Sequence, residues 1–122
     1  MKYILLIHHD EAYFASLSEA ERQALYAEYR SLREQLTAAG NWVAGDQLLP
    51  TSAGSSVKVR DGKAVVTGGP FAESREQVGG YFMIEARDLD EAVSIAARIP
   101  SARTGTIEVR PVVPSVVPAA AR

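Results

Sequence analysis

The sequence predicts an α+β domain in which two β-α-β units share one antiparallel sheet, and three observations carry that reading. Two helix-start signals, Ser18 with Glu21 and Asp88 with Glu91, each open a segment whose apolar residues recur at helical spacing. Each helical segment lies between short β-rich runs, and an Asp61-Gly62 pair marks a hairpin inserted between the two units. At 122 residues, 47% of them hydrophobic, the chain suits one domain and is long enough to bury a real core.

Taken in order, residues 2–8 form a nearly continuous apolar run, which predicts a strand buried on both faces. Residues 9–17 read as a polar connection. The first helix then extends from the Ser18 cap to about Ala39, with Leu25, Tyr29, Leu32 and Leu36 on one face. Gly40 follows as its left-handed terminator. Asn41 to Leu49 reads as a second strand, with Trp42 in the core or in a pocket wall, and Pro50 breaks it. Ser56–Arg60 and Lys63–Thr67 flank the Asp61-Gly62 turn, and residues 68–79 form a long loop. Gly80–Glu85 is the next strand, Asp88 starts a helix carrying Leu89, Ala92, Val93 and Ala96 on one face, and Pro100 ends it. Thr106–Pro111 is the last strand. The expected division is a domain over 1–112 and a flexible Pro/Ala-rich tail over 113–122.

This order is that of a ferredoxin-like fold, with both helices on one face of the sheet. Two helices leave the opposite face open, yet Tyr3, Ile4, Leu5 and Leu6 are apolar at consecutive positions. A second copy of the sheet is the simplest cover, so a homodimer is expected.

Composition narrows the function classes. Thirteen basic and fifteen acidic side chains give a net charge of −2 with no basic cluster, which argues against a nucleic-acid partner. The apolar run from Tyr3 to Ile7 is too short to span a membrane or to act as a signal core, so a cytoplasmic protein with no membrane partner is expected. Without cysteine there is no disulfide, thiolate nucleophile or zinc-thiolate site, and no carboxylate cluster has ligand spacing. No metal and no cofactor are expected.

The stretch from Val65 to Pro100, ending in IEVRPV, resembles the YCII-related superfamily, specifically its DGPF branch, and the opening KYILLIHHDEA and the LTAAGNWVAGDQL stretch match that branch too. The motif reads Gly68-Gly69-Pro70-Phe71-Ala72-Glu73-Ser74-Arg75-Glu76, then Gly79-Gly80. Gly68 stands where the motif has its leading Asp, so an acid-base role for that carboxylate has no bearer here. The resemblance implies a dimeric α/β barrel with a pocket near the subunit interface. It also implies a sigma-factor association, because such proteins are often encoded beside extracytoplasmic-function sigma factors. Some relatives in the wider superfamily use a His–Asp pair for lyase chemistry, with the histidine on the first helix; here that helix has Tyr26, Glu28 and Tyr29 and no histidine.

Two site candidates come from the residues. His8 and His9 are adjacent on a strand and point to opposite faces, so they do not share a metal. His8 and Asp10 share a face if the strand persists, and Asp10 would then orient His8 as a general base. Against that stands an ordinary strand-end histidine paired with a nearby acid. The loop 68–80 is the second candidate and is expected to line the main pocket. Glycines at both ends let the backbone approach a ligand, Phe71 anchors the loop, Arg75 holds an anionic oxygen, and Glu73 or Glu76 takes a proton. Its bland alternative is a connector that docks Phe71 and uses its charges in salt bridges. The expected catalytic set is thus His8, Asp10 and Glu73; the expected ligand contacts are Gly69, Phe71, Arg75, Glu76 and Tyr81. Asp46 and Glu85 are further polar groups in or beside strands that need partners if they face inward. Two functions remain: a small-molecule-binding homodimer with an accessory or regulatory role, or a cofactor-independent lyase or isomerase acting on a small organic acid or phenol.

Overall fold

The computed structural model describes residues 1–69 and 74–115. Its strands are β1 (Lys2–His9), β2 (Trp42–Gln47), β3 (Ser55–Arg60), β4 (Lys63–Gly68), β5 (Gln77–Glu85) and β6 (Thr106–Pro111). The helices are α1 (Glu11–Ser16), α2 (Glu19–Ala38) and α3 (Leu89–Ala96), with 3-10 turns at Thr51–Ala53 and Pro100–Arg103. Four strands form one sheet in the order β2-β5-β1-β6, every neighbouring pair antiparallel. The order is compatible with the ferredoxin-like fold.

Side-chain alternation splits β1 cleanly. Tyr3, Leu5 and Ile7 are buried, while Ile4, Leu6 and His8 on the other face are only half-buried. The first set joins Phe82 and Ile84 of β5, Leu32 and Leu36 of α2, and Ala92, Ile95 and Ala96 of α3 in a single core. Both long helices therefore cover the same face. The strand is thus buried on one face, and its opposite face keeps a half-open apolar strip of Ile4, Leu6, Ala44 and Met83.

Local signals act largely as the sequence predicts. The Ser18 side chain accepts from the Glu21 amide at 3.1 Å, and the Glu21 carboxylate accepts from the Ser18 amide at 2.9 Å. Those hydrogen bonds, the backbone one foremost, hold the Glu21 carboxyl below its ordinary range. Gly40 has φ 81° after the Ala39 cap, and Asp61 and Gly62 have φ 51° and 73°, the two positive values a tight hairpin turn requires. Asp88 caps α3 by accepting from Glu91, whose own carboxylate turns to Arg87 instead of completing the box.

Two expectations change, and the inserted hairpin takes a definite place. Residues 9–17 are not merely a connection: Asp10 accepts from the amides of Ala12 and Tyr13 and so caps the helix α1. β5 begins at Gln77, three residues earlier than expected, which shortens the loop before it. The β3–β4 hairpin is a separate two-stranded sheet that packs chiefly on itself among the described residues. One of its faces pairs Val57 with Val66 and Val59 with Ala64, leaving the three valines 61%, 63% and 63% exposed for Val57, Val59 and Val66.

Candidate functional site

The α2 stripe does not sink uniformly into the core. Its C-terminal half, Leu32 and Leu36, is buried, whereas Leu25, Tyr26 and Tyr29 border a cavity of about 260 Å³ between α2 and the sheet. Phe14 of α1, Trp42 of β2, Ile7 of β1 and Phe82 of β5 complete its apolar wall. The aromatic rings are held by one another. Phe82 meets Trp42 edge-on at 4.8 Å between centroids and Tyr29 edge-on at 6.0 Å. Gly45 makes room for this set, because a methyl group there would overlap the tip of Trp42 and the Tyr81 carbonyl.

Polar groups enter the cavity at few points. The Tyr29 hydroxyl and the Ser101 hydroxyl share a 2.6 Å hydrogen bond. Burial pushes the Tyr29 phenol above its ordinary value, against the opposing pull of Ser101, so Tyr29 keeps its proton at neutral pH. Arg30 and Arg33 border the cavity from the exposed side of α2, and the Arg33 guanidinium lies 5.0 Å from the Trp42 ring centre. Among the described residues neither arginine has a carboxylate partner. Asp46 also borders the cavity, but its carboxylate accepts from the Tyr81 hydroxyl at 3.2 Å. That bond holds the Tyr81 phenol above its ordinary value.

His9 is a further polar wall group. Its ring packs against Phe14 at 5.5 Å between centroids, and it makes no hydrogen bond or ion pair among the described residues. The ring is half-buried, and its nitrogens are available to water or to a ligand.

The sequence-predicted residues fall elsewhere. His8 points to the open face of the sheet, where its Nε2 lies 2.9 Å from Glu108. Asp10 is committed to the α1 cap, so the expected His8–Asp10 pair is replaced by His8–Glu108, an exposed pair worth about 0–1 kcal/mol. Gly69 has φ 82°; its amide donates to Gly54 and its carbonyl accepts from Ser56, closing the base of the hairpin. Arg75 is exposed, Glu76 is half-buried, and Tyr81 lies on the open face with Asp46. Phe71 and Glu73 lie outside the described residues. From the loop 68–80, the described residues that reach the cavity are Gly79 and Gly80.

His9, Tyr26, Arg30, Arg33, Gln47 and Ser101 were not singled out from the sequence. The available signal was the i, i+3, i+4, i+7 spacing of Tyr26, Tyr29, Arg30 and Arg33, which sets two cations beside two phenols.

Fold and site together define a small α+β protein with a ligand-sized, aromatic-walled cleft between its long helix and its sheet. Comparison with known sequences agrees in extent: the profile of the YCII-related domain matches residues 1–116. The uncharacterized protein R00369 of Rhizobium meliloti (strain 1021) is 32% identical over 113 residues, covering 91% of each chain. This chain belongs to the YCII-related family.

Proposed function

We propose that the protein binds a small aromatic organic acid in the α2–sheet cavity and does so as a homodimer. The observation that carries the ligand class is the pairing of an aromatic wall with two arginines at its exposed side that have no carboxylate partner among the described residues. An aryl ring fits among Tyr29, Trp42 and Phe82, and a guanidinium holds a carboxylate by paired N–H donors. Asp46 borders the cavity, but its carboxylate is turned to Tyr81 on the open face of the sheet. This supports binding over acid–base turnover. The Gly-Gly-Pro-Phe-Ala-Glu stretch supports assignment to the DGPF branch within the family. The sigma-factor association rests on that likeness alone.

Trp42 is the chain's one tryptophan and part of the cavity wall, so its fluorescence reports occupancy directly. Titration with aryl carboxylates and with the matching neutral amides should show the acids binding more tightly. Arg30→Gln or Arg33→Gln should weaken the acids about tenfold or more, the worth of a hydrogen bond to a charged group. Amides that bind as well as acids, with both variants unchanged, would sink the reading.

The dimer is supported by the half-open strip of Ile4, Leu6, Ala44 and Met83, which no helix among the described residues covers. Sedimentation equilibrium at micromolar concentration should give twice the 13.1 kDa chain mass. Leu6→Asp should shift it to monomer by placing a charge in the joint. A wild-type chain that sediments as a monomer ends this part of the proposal.

A further inference from the structure

Resting on that reading of the cavity, we infer that its ligand is bipolar: an aromatic acid carrying a hydroxyl or carbonyl oxygen at the end remote from its carboxylate, with His9 selecting for that oxygen. An anion seated at Arg30 and Arg33 leaves His9 unused. Its imidazole borders the cavity and has no hydrogen-bond or ion-pair partner among the described residues. It is also held in place. Phe14 packs against the ring, and the bare backbone of Gly79 lies against it on another side; a methyl group at Gly79 would overlap Nε2 and both carbons flanking it. Gly79 is the extra residue of a bulge, since Ile7 pairs with Gly80 and His8 with Val78. The bulge thus makes the space that the imidazole fills. A fixed ring with free nitrogens accepts from a hydroxyl or donates to a carbonyl, according to its tautomer.

Register places His9 and the arginines at opposite ends of the cavity. The Arg22 guanidinium lies 5.8 Å from the Phe14 ring centre, and Phe14 touches His9, so the start of α2 sits at the His9 end. Arg33, further along α2, lies over Trp42. Leu25 and Arg33 are eight positions apart, about 12 Å along a helix. On the sheet, the tip of Trp42 reaches Gly45, which pairs with Phe82 and through it with Leu5, four residues before His9. Four strand residues span roughly 13 Å. With side chains reaching inward from both ends, the remaining gap suits a substituted phenylpropanoid acid more than a single short acid.

The test is calorimetric titration with para-hydroxyphenylpropanoate and phenylpropanoate, which differ only in the remote hydroxyl. Wild-type protein should prefer the hydroxylated acid about tenfold, the worth of one well-made hydrogen bond. His9→Leu should lose that preference by weakening the hydroxylated acid alone, while His9→Gln, still able to hydrogen-bond, should keep part of it. Gly79→Ala should lose it as well, by displacing the ring without removing it. Equal affinity of wild type for the two acids, or a preference that survives in His9→Leu, overturns the inference; if that binding still depends on Arg30 or Arg33, the proposed function stands. Binding of neither acid to wild type overturns both.

Discussion

Replacing Phe82 with alanine should destabilise the protein by about 3–5 kcal/mol, the range for truncating a large buried aromatic. Phe82 is 6% exposed and belongs both to the core and to the cavity wall. Its ring is the common partner of Trp42 and Tyr29, and each edge-on contact adds about 0.5–1.5 kcal/mol beyond burial. Relaxation is limited. The neighbours nearest the gap already border an open space, so the truncation enlarges the cavity instead of closing it. Domains of this kind have about 5–15 kcal/mol of total stability, so a loss of this size moves the urea midpoint far with the slope unchanged. A change under about 1 kcal/mol would show that the ring network is not what holds α2 to the sheet.

Gly105→Ala should be the most damaging of the small substitutions, at about 2–3 kcal/mol, toward the upper part of the overpacking range. Gly105 has no left-handed φ, so conformational strain is not the cause. A methyl group there would overlap the His8 carbonyl oxygen and press on the His8 carbonyl carbon and His9 Cα, all backbone atoms of the end of β1. Backbone within a paired strand cannot swing aside as a side chain tip can. Gly68→Ala is the matched control, because a methyl group there meets nothing within 4 Å and the φ is ordinary. Thermal melts of the two variants should separate clearly. Equal melting temperatures would mean the β1–β6 corner yields more easily than its contacts indicate.

The elements were legible because their signals are local. A capping box, a two-residue hairpin turn and a terminating glycine are each set by neighbours within a few residues, and they occur where they were expected. The α1 helix escaped for want of length: six residues are too few to show a period, although Asp10 followed by Glu11 is a legible cap. The site was harder to read because its residues converge from distant parts of the chain. Tyr29 and Ser101 are 72 positions apart, and nothing near either one marks the other. Alternation showed that His8 and His9 face opposite ways. Both faces of β1 begin apolar, however, so the sequence did not say which histidine would meet α2. The Gly79-Gly80 pair was read as room for a ligand, whereas the space beside Gly79 is taken by the imidazole of His9.

The separate β3–β4 sheet means that this chain does not have one stability. A two-stranded ladder is marginal in water, and among the described residues no third strand shields its amides. β1 and β5 are flanked by strands on both sides, so their amides lose protection only when the four-stranded sheet comes apart. Hydrogen exchange therefore divides the molecule into a slow body and a fast hairpin, and Trp42, seated in the body, is blind to the second. An unfolding curve followed by tryptophan emission measures the domain without its hairpin.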